Sequence, residues 1–131
     1  MRRKRRGQAL VEAAMILPIL TFLLLATVSL VVMLNTKIAV TSAAREAARA
    51  YAVYQDTGRA RQVADQNLKD TVMGYEGGAQ VNVSPSGGYV TVKVTYNQPS
   101  LVPGLFRIMG LNEDFGAVPI SSAAVFRIEA R

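Results

Sequence analysis

From Ala13 to Leu34 the chain runs for 22 residues without a charged side chain, and leucine, isoleucine, valine and methionine dominate the run. As a helix it would be roughly 33 Å long, enough to cross a hydrocarbon core of about 30 Å. This one segment constrains the fold most. It predicts a single membrane-spanning helix and leaves the rest of the 131 residues for one modest soluble head. A cleavable secretory signal has a shorter apolar core of about 7–15 residues followed promptly by a small-residue cleavage site. Here the nearest such sequence, Thr41-Ser42-Ala43-Ala44, lies well past the span.

Charge is concentrated before the span. Arg2, Arg3, Lys4, Arg5 and Arg6 supply five of the fifteen cations, which leaves ten against nine carboxylates elsewhere. The formal net charge of +6 therefore describes a tag and not a basic surface. Nucleic-acid binding needs cations spread over a folded face and is not expected. Cations beside a first span stay cytoplasmic, and only Lys37 flanks the other end closely. The expected topology is single-pass in the cytoplasmic (inner) membrane, amino terminus inside and head outside. A twin-arginine export signal is not expected, because the arginines abut Gly7 and Gln8.

Two residues inside this region stand out. Glu12 is a lone carboxylate at the mouth of the apolar run, where a charge costs up to about 2.5–3.5 kcal/mol at the bilayer centre and less near the interface. Pro18 removes an amide and frees the carbonyl of Ala14, which makes it either a proline the membrane helix tolerates or a point at which the helix kinks.

Beyond the span, residues 35–54 keep a helical pattern. Ala39, Ala43 and Ala47 recur every four residues, as do Ala44, Ala48 and Ala52. Such small rows admit close approach of a sheet or another helix. They serve either the chain's own head or a seam between subunits, with Arg45 and Arg49 on a charged strip beside them. Asp56-Thr57-Gly58 reads as a turn. A second amphipathic helix is expected from about Arg59 to Met73, with Ala60, Val63, Ala64, Leu68 and Val72 on one face and spaced charges at Arg61, Asp65 and Lys69 on another. After Gly74, Gly77 and Gly78 the period changes to two. Ala79, Val81 and Val83 form one strand and Val90, Val92, Val94 and Tyr96 the next, joined by Pro85-Ser86-Gly87-Gly88. A last strand runs from Ile120 to Ile128, with positions 120, 124, 126 and 128 on one face. The connection from Asn97 to Pro119 carries Leu101, Val102, Leu105, Phe106, Ile108 and Met109; it either covers the sheet or forms an exposed contact patch.

The expected fold class is α+β: a long N-terminal transmembrane α-helix extending into a small head, with a second helix packed on a three- or four-stranded antiparallel sheet. The domains are 1–7, a basic leader open to cleavage; 8–34, the transmembrane helix; and 35–131, an extracytoplasmic α+β head. No enzyme is expected. The chain has no histidine and no cysteine, which removes the commonest general base and all thiol chemistry. No catalytic residue, cofactor, metal or small-molecule substrate is assigned. Glu113 and Asp114 beside Asn112 read as a solvated turn in preference to a hard-cation site.

Gly7-Gln8-Ala9-Leu10-Val11-Glu12 resembles the processing site of type IV prepilins and pseudopilins. The longer segment from Arg6 to Pro18 is similar to the TadE-like proteins of tight-adherence (type IVb-like) pilus systems. Thr41-Ser-Ala-Ala-Arg-Glu-Ala-Ala-Arg49 fits their second segment, and Ala123-Ala-Val-Phe-Arg-Ile-Glu129 resembles their last strand. The resemblance implies that a prepilin peptidase cuts between Gly7 and Gln8, leaving Glu12 as the fifth residue. It also implies partners among other pilins, pseudopilins and the assembly machinery, within a lipid bilayer. One departure is Ala13, where pseudopilins cut in these systems often carry an aromatic. The alternative is a permanently membrane-anchored extracytoplasmic binding module that keeps its leader; an exported small enzyme is a third, weaker reading. Removal of the leader would leave one ammonium on Gln8, a helical turn from Glu12, for this carboxylate or a neighbour's to pair with.

Overall fold

The computed structural model describes residues 2–99, 110 and 117–129. Two helices come first, α1 (Arg2–Tyr54) and α2 (Thr57–Thr71), then three strands, β1 (Gln80–Ser86), β2 (Tyr89–Pro99) and β3 (Ala117–Arg127). The strands form one antiparallel sheet in the order β1-β2-β3, so the fold is α+β. The chain divides into two compact units, Met1–Val32 and Met33–Arg131.

The described residues of the first unit are all helix. It is long and apolar enough to cross a membrane, and none of its most apolar window is buried by the rest of the chain. A row of exposed leucines such as Leu20, Leu23 and Leu24 is stable only where the surroundings are themselves apolar. Polar groups in this stretch are satisfied locally: Thr21 and Thr27 each donate to the carbonyl four residues back, on Leu17 and Leu23, at 2.9 Å. The helix continues through Pro18.

In the second unit the outer half of α1 packs on the sheet. Ala39, Ala43, Ala44, Ala47 and Ala48 are fully buried, and the absence of bulk lets the helix backbone approach closely. Opposite them lie Val90, Val92, Val94 and Tyr96 from β2 and Ile120 from β3. Helix α2 closes the core with Ala60, Ala64 and Leu68. The two alanine rows are thus consumed by the chain's own head and are not a seam between subunits. Arg45 and Arg49 remain exposed. Three polar contacts fix the register of α1 on the sheet. Thr36 donates to Gln98 at 2.7 Å in a buried site, Thr41 meets Ser122 at 3.1 Å, and the Lys37 ammonium donates to the Ser121 carbonyl.

Several boundaries differ from the sequence expectation. Helix α2 starts two residues early because Asp56 caps it, accepting from the Gly58 amide at 2.8 Å. It ends at Thr71, where Val72 turns extended. The hairpin turn is only Gly87-Gly88, both at positive φ (59° and 81°), the pairing that a two-residue turn between twisted strands requires. Pro85 and Ser86 belong to β1, opposite Val90 and Tyr89. Strands β2 and β3 reach further than expected and pair Asn97 with Pro119 and Pro99 with Ala117. The apolar residues Leu101 to Met109 and the group Asn112, Glu113 and Asp114 lie outside the described residues, and three strands are present among those described.

Candidate processing and anchoring site

Gly7, Gln8 and Glu12 all lie within α1, which begins at Arg2. Glycine in a helix costs about 0.5–1 kcal/mol relative to alanine. Two structural needs normally justify that cost, a positive φ or a close neighbour. Gly7 has neither: it is not among the positive-φ glycines, and a Cβ placed on it would meet nothing within 4 Å. Nothing among the described residues requires a glycine at this position.

Glu12 is exposed on the bare helix. Its neighbours one turn away are Gln8, Ala9, Met15 and Ile16, none of which is a cation. Arg6 is six residues back, too far round the helix for the one-turn pairing that stabilises helical ion pairs. The carboxylate therefore has no intrahelical partner one turn away, at the mouth of a segment in which an unpaired charge is costly. Cutting after Gly7 would create an ammonium at Gln8, one turn from Glu12. Pro18 lies six residues beyond Glu12 on the same helix. The structure thus places the four sequence-derived residues along one stretch of α1, with the glycine and the carboxylate on either side of the proposed scissile bond.

Among the described residues the head has open cavities of about 310 Å³ at two places. One is lined by Lys37, Ile38, Thr41, Ser42, Arg45 and Glu46, the other by Arg61, Asp65, Ala79 and Val81. Beside the second, the Tyr75 hydroxyl donates to Asp65 at 2.6 Å, and its ring lies 5.1 Å from that of Tyr96. Burial first, then the hydrogen bond to Asp65 and its charge, push the Tyr75 phenol up to about 12. Burial and then Glu76 push Tyr96 up as well. A phenol so placed keeps its proton at neutral pH and acts as a strut between α2 and the sheet. Asp65 reads in the sequence as one of the spaced helix charges; its bond to Tyr75 was not foreseeable from spacing, because it crosses the end of α2.

Residues 7–49 match the family model described as TadE-like protein. The match starts at Gly7 and ends at Arg49, so it covers the glycine, the carboxylate, the apolar span and the alanine–arginine segment, about a third of the chain. It supports a protein associated with tight-adherence pilus systems and carrying a helix compatible with a single-pass membrane anchor. No curated protein and no solved structure shows a significant match.

Proposed function

We propose, from the TadE-like segment at residues 7–49, that this chain is a non-enzymatic minor pilin or pseudopilin taking part in assembly of an adhesive tight-adherence pilus. A prepilin peptidase removes residues 1–7. The helix then packs among other pilin helices, and the head lies outside the cytoplasmic membrane. The observation that carries this reading is Gly7. A residue that weakens its own helix and fills no structural need is best understood as one read by another protein. Glu12 supports it, because its missing intrahelical partner is supplied by the ammonium that cleavage creates, on Gln8 of the same chain or of a neighbour.

The test is the intact mass of the protein from native membranes, measured together with pilus number. The expected chain starts at Gln8. Glu12→Gln should leave insertion and protein level unchanged but lower pilus number about tenfold or more, the effect of losing an interaction of about 1.4 kcal/mol. A full-length chain in normally piliated cells would overturn the reading in favour of a permanent anchor carrying an external binding module.

A further inference from the structure

Residues along a paired strand alternate, one pointing its amide and carbonyl to its neighbour and the next pointing both away. In β3 the two sets can be told apart. Pro119 stands opposite Asn97 and has no amide to give, so it belongs to the outward set. At the other end, the Ile128 amide donates to the Gly88 carbonyl at 2.8 Å, which places the even-numbered residues in the inward set. The Lys37 ammonium reaches the Ser121 carbonyl from α1, as an outward-facing carbonyl allows. Ser121, Ala123, Val125 and Arg127 therefore turn their amides and carbonyls away from the sheet.

Strand β3 ends the strand order, and among the described residues Lys37 alone bonds to this outer edge. Edge strands are commonly protected by proline, bulges or shortness. Strand β1, the other edge, is short and carries Pro85 opposite Val90, in its outward set by the same alternation. Strand β3 has none of these devices between Ser121 and Arg127. Its register with β2 is unbroken over its full length, and Val125 is 60% exposed.

The flank of α1 beside this edge is cationic. Lys37 and Thr41 touch Ser121 and Ser122. Arg45 lines the same open cavity as Lys37 and Thr41, with Glu46 the one acid in that lining; Arg49 follows one turn further along α1, and both arginines are exposed. Antiparallel pairing of two copies through β3 would bring their two cationic α1 flanks to the same face of the joined sheet, where like charges repel. An acidic strand meets the opposite situation.

We propose that the outer edge of β3, from Ala123 to Arg127, takes an extended acidic segment of a partner protein as a further strand. The partner's backbone pairs with Ala123, Val125 and Arg127, and its carboxylates on the α1 side meet Arg45 and Arg49. Backbone bonds supply affinity and alternate side chains supply selection, as in other strand additions. The proposal does not depend on removal of the leader.

The test uses the full chain in uncharged detergent and a fluorescein-labelled, end-blocked peptide of alternating valine and glutamate, with its lysine counterpart as control. Fluorescence anisotropy reads binding, and amide hydrogen exchange reads Ala123, Val125 and Arg127. The glutamate peptide should bind roughly tenfold or more tightly than the lysine peptide, in a salt-sensitive way, and slow exchange at those three amides. Arg45→Glu with Arg49→Glu changes only exposed side chains and should weaken glutamate-peptide binding by a similar factor. Val125→Pro, which removes one outward amide, should abolish binding by either peptide. Equal affinity for both peptides, or none for either, overturns the proposal. So does slow exchange in the free protein: if independent of concentration, the chain covers its own edge; if it grows with concentration, a second copy does.

Discussion

Tyr75 joins the helical and sheet halves of the head through one hydrogen bond to Asp65, and that bond has a pH signature. The phenol titrates near 10.0 in the unfolded chain and at about 12 in the fold. Between those values the unfolded state has released its proton while the folded state still holds it. The contribution to stability is complete below about pH 10 and is lost as pH rises to about 12. Tyr75→Phe removes both the bond and the titration. It should cost about 1 kcal/mol at neutral pH, a modest figure because the site is only half-buried. It should also make the loss of stability across the alkaline window shallower. Urea melts of the two proteins on either side of that window decide the matter; parallel alkaline slopes would show that the bond does not hold the phenol's proton.

At the scale of elements, the corner between α1 and α2 rests on a conformation its sequence does not favour. Gln55 has φ of 53°, and its amide closes the end of α1 by donating to the Tyr51 carbonyl at 2.7 Å. This is the position after a helix where glycine is usual, because a side chain there crowds the backbone. Gln55→Gly should stabilise the head by about 0.5–1 kcal/mol, the relief of crowding outweighing the extra freedom glycine gives the unfolded chain. A lower melting temperature would mean that Gln55 makes a compensating contact. The same corner shows where sequence reading stops. The buried faces of β2 and α2 were legible because valines recur every second residue and apolar residues every third or fourth. The ends of α2 were not, because Asp56 capping and a left-handed glutamine are matters of backbone geometry. Pro85 looked like turn chemistry, yet an outward-facing edge position tolerates it inside β1. In the candidate site, Gly7 and Gln8 were singled out by the resemblance to prepilin processing sites, and the helix adds that Gln8 and Glu12 lie one turn apart on α1. The open edge of β3 was not legible, because inward and outward positions depend on register with β2.

At the scale of the molecule, the proposed anchor raises the question of what would orient the chain in a membrane. The five cations from Arg2 to Arg6 stand on one side of the apolar run, and Lys37 stands nearest on the other. Near an anionic cytoplasmic leaflet each cation is worth about 1 kcal/mol, so the amino-terminal block outweighs Lys37 by about 4 kcal/mol. The partnership of Lys37 with Ser121 ties its charge to the head and weakens any opposing pull. Replacing all five cations with glutamine should therefore leave the apolar run inserting while a substantial fraction of chains adopts the reverse orientation. Protease added to intact spheroplasts measures this directly: the wild-type head is cut, and the inverted fraction of the variant is protected. Unchanged cleavage would show that the apolar run and the head set orientation without the block. Its loss to a peptidase after insertion would not reverse the topology, because returning the head through the bilayer would expose the polar strands and charged helix faces to hydrocarbon. On the proposed reading the block would be needed only during insertion, which is compatible with its being removable.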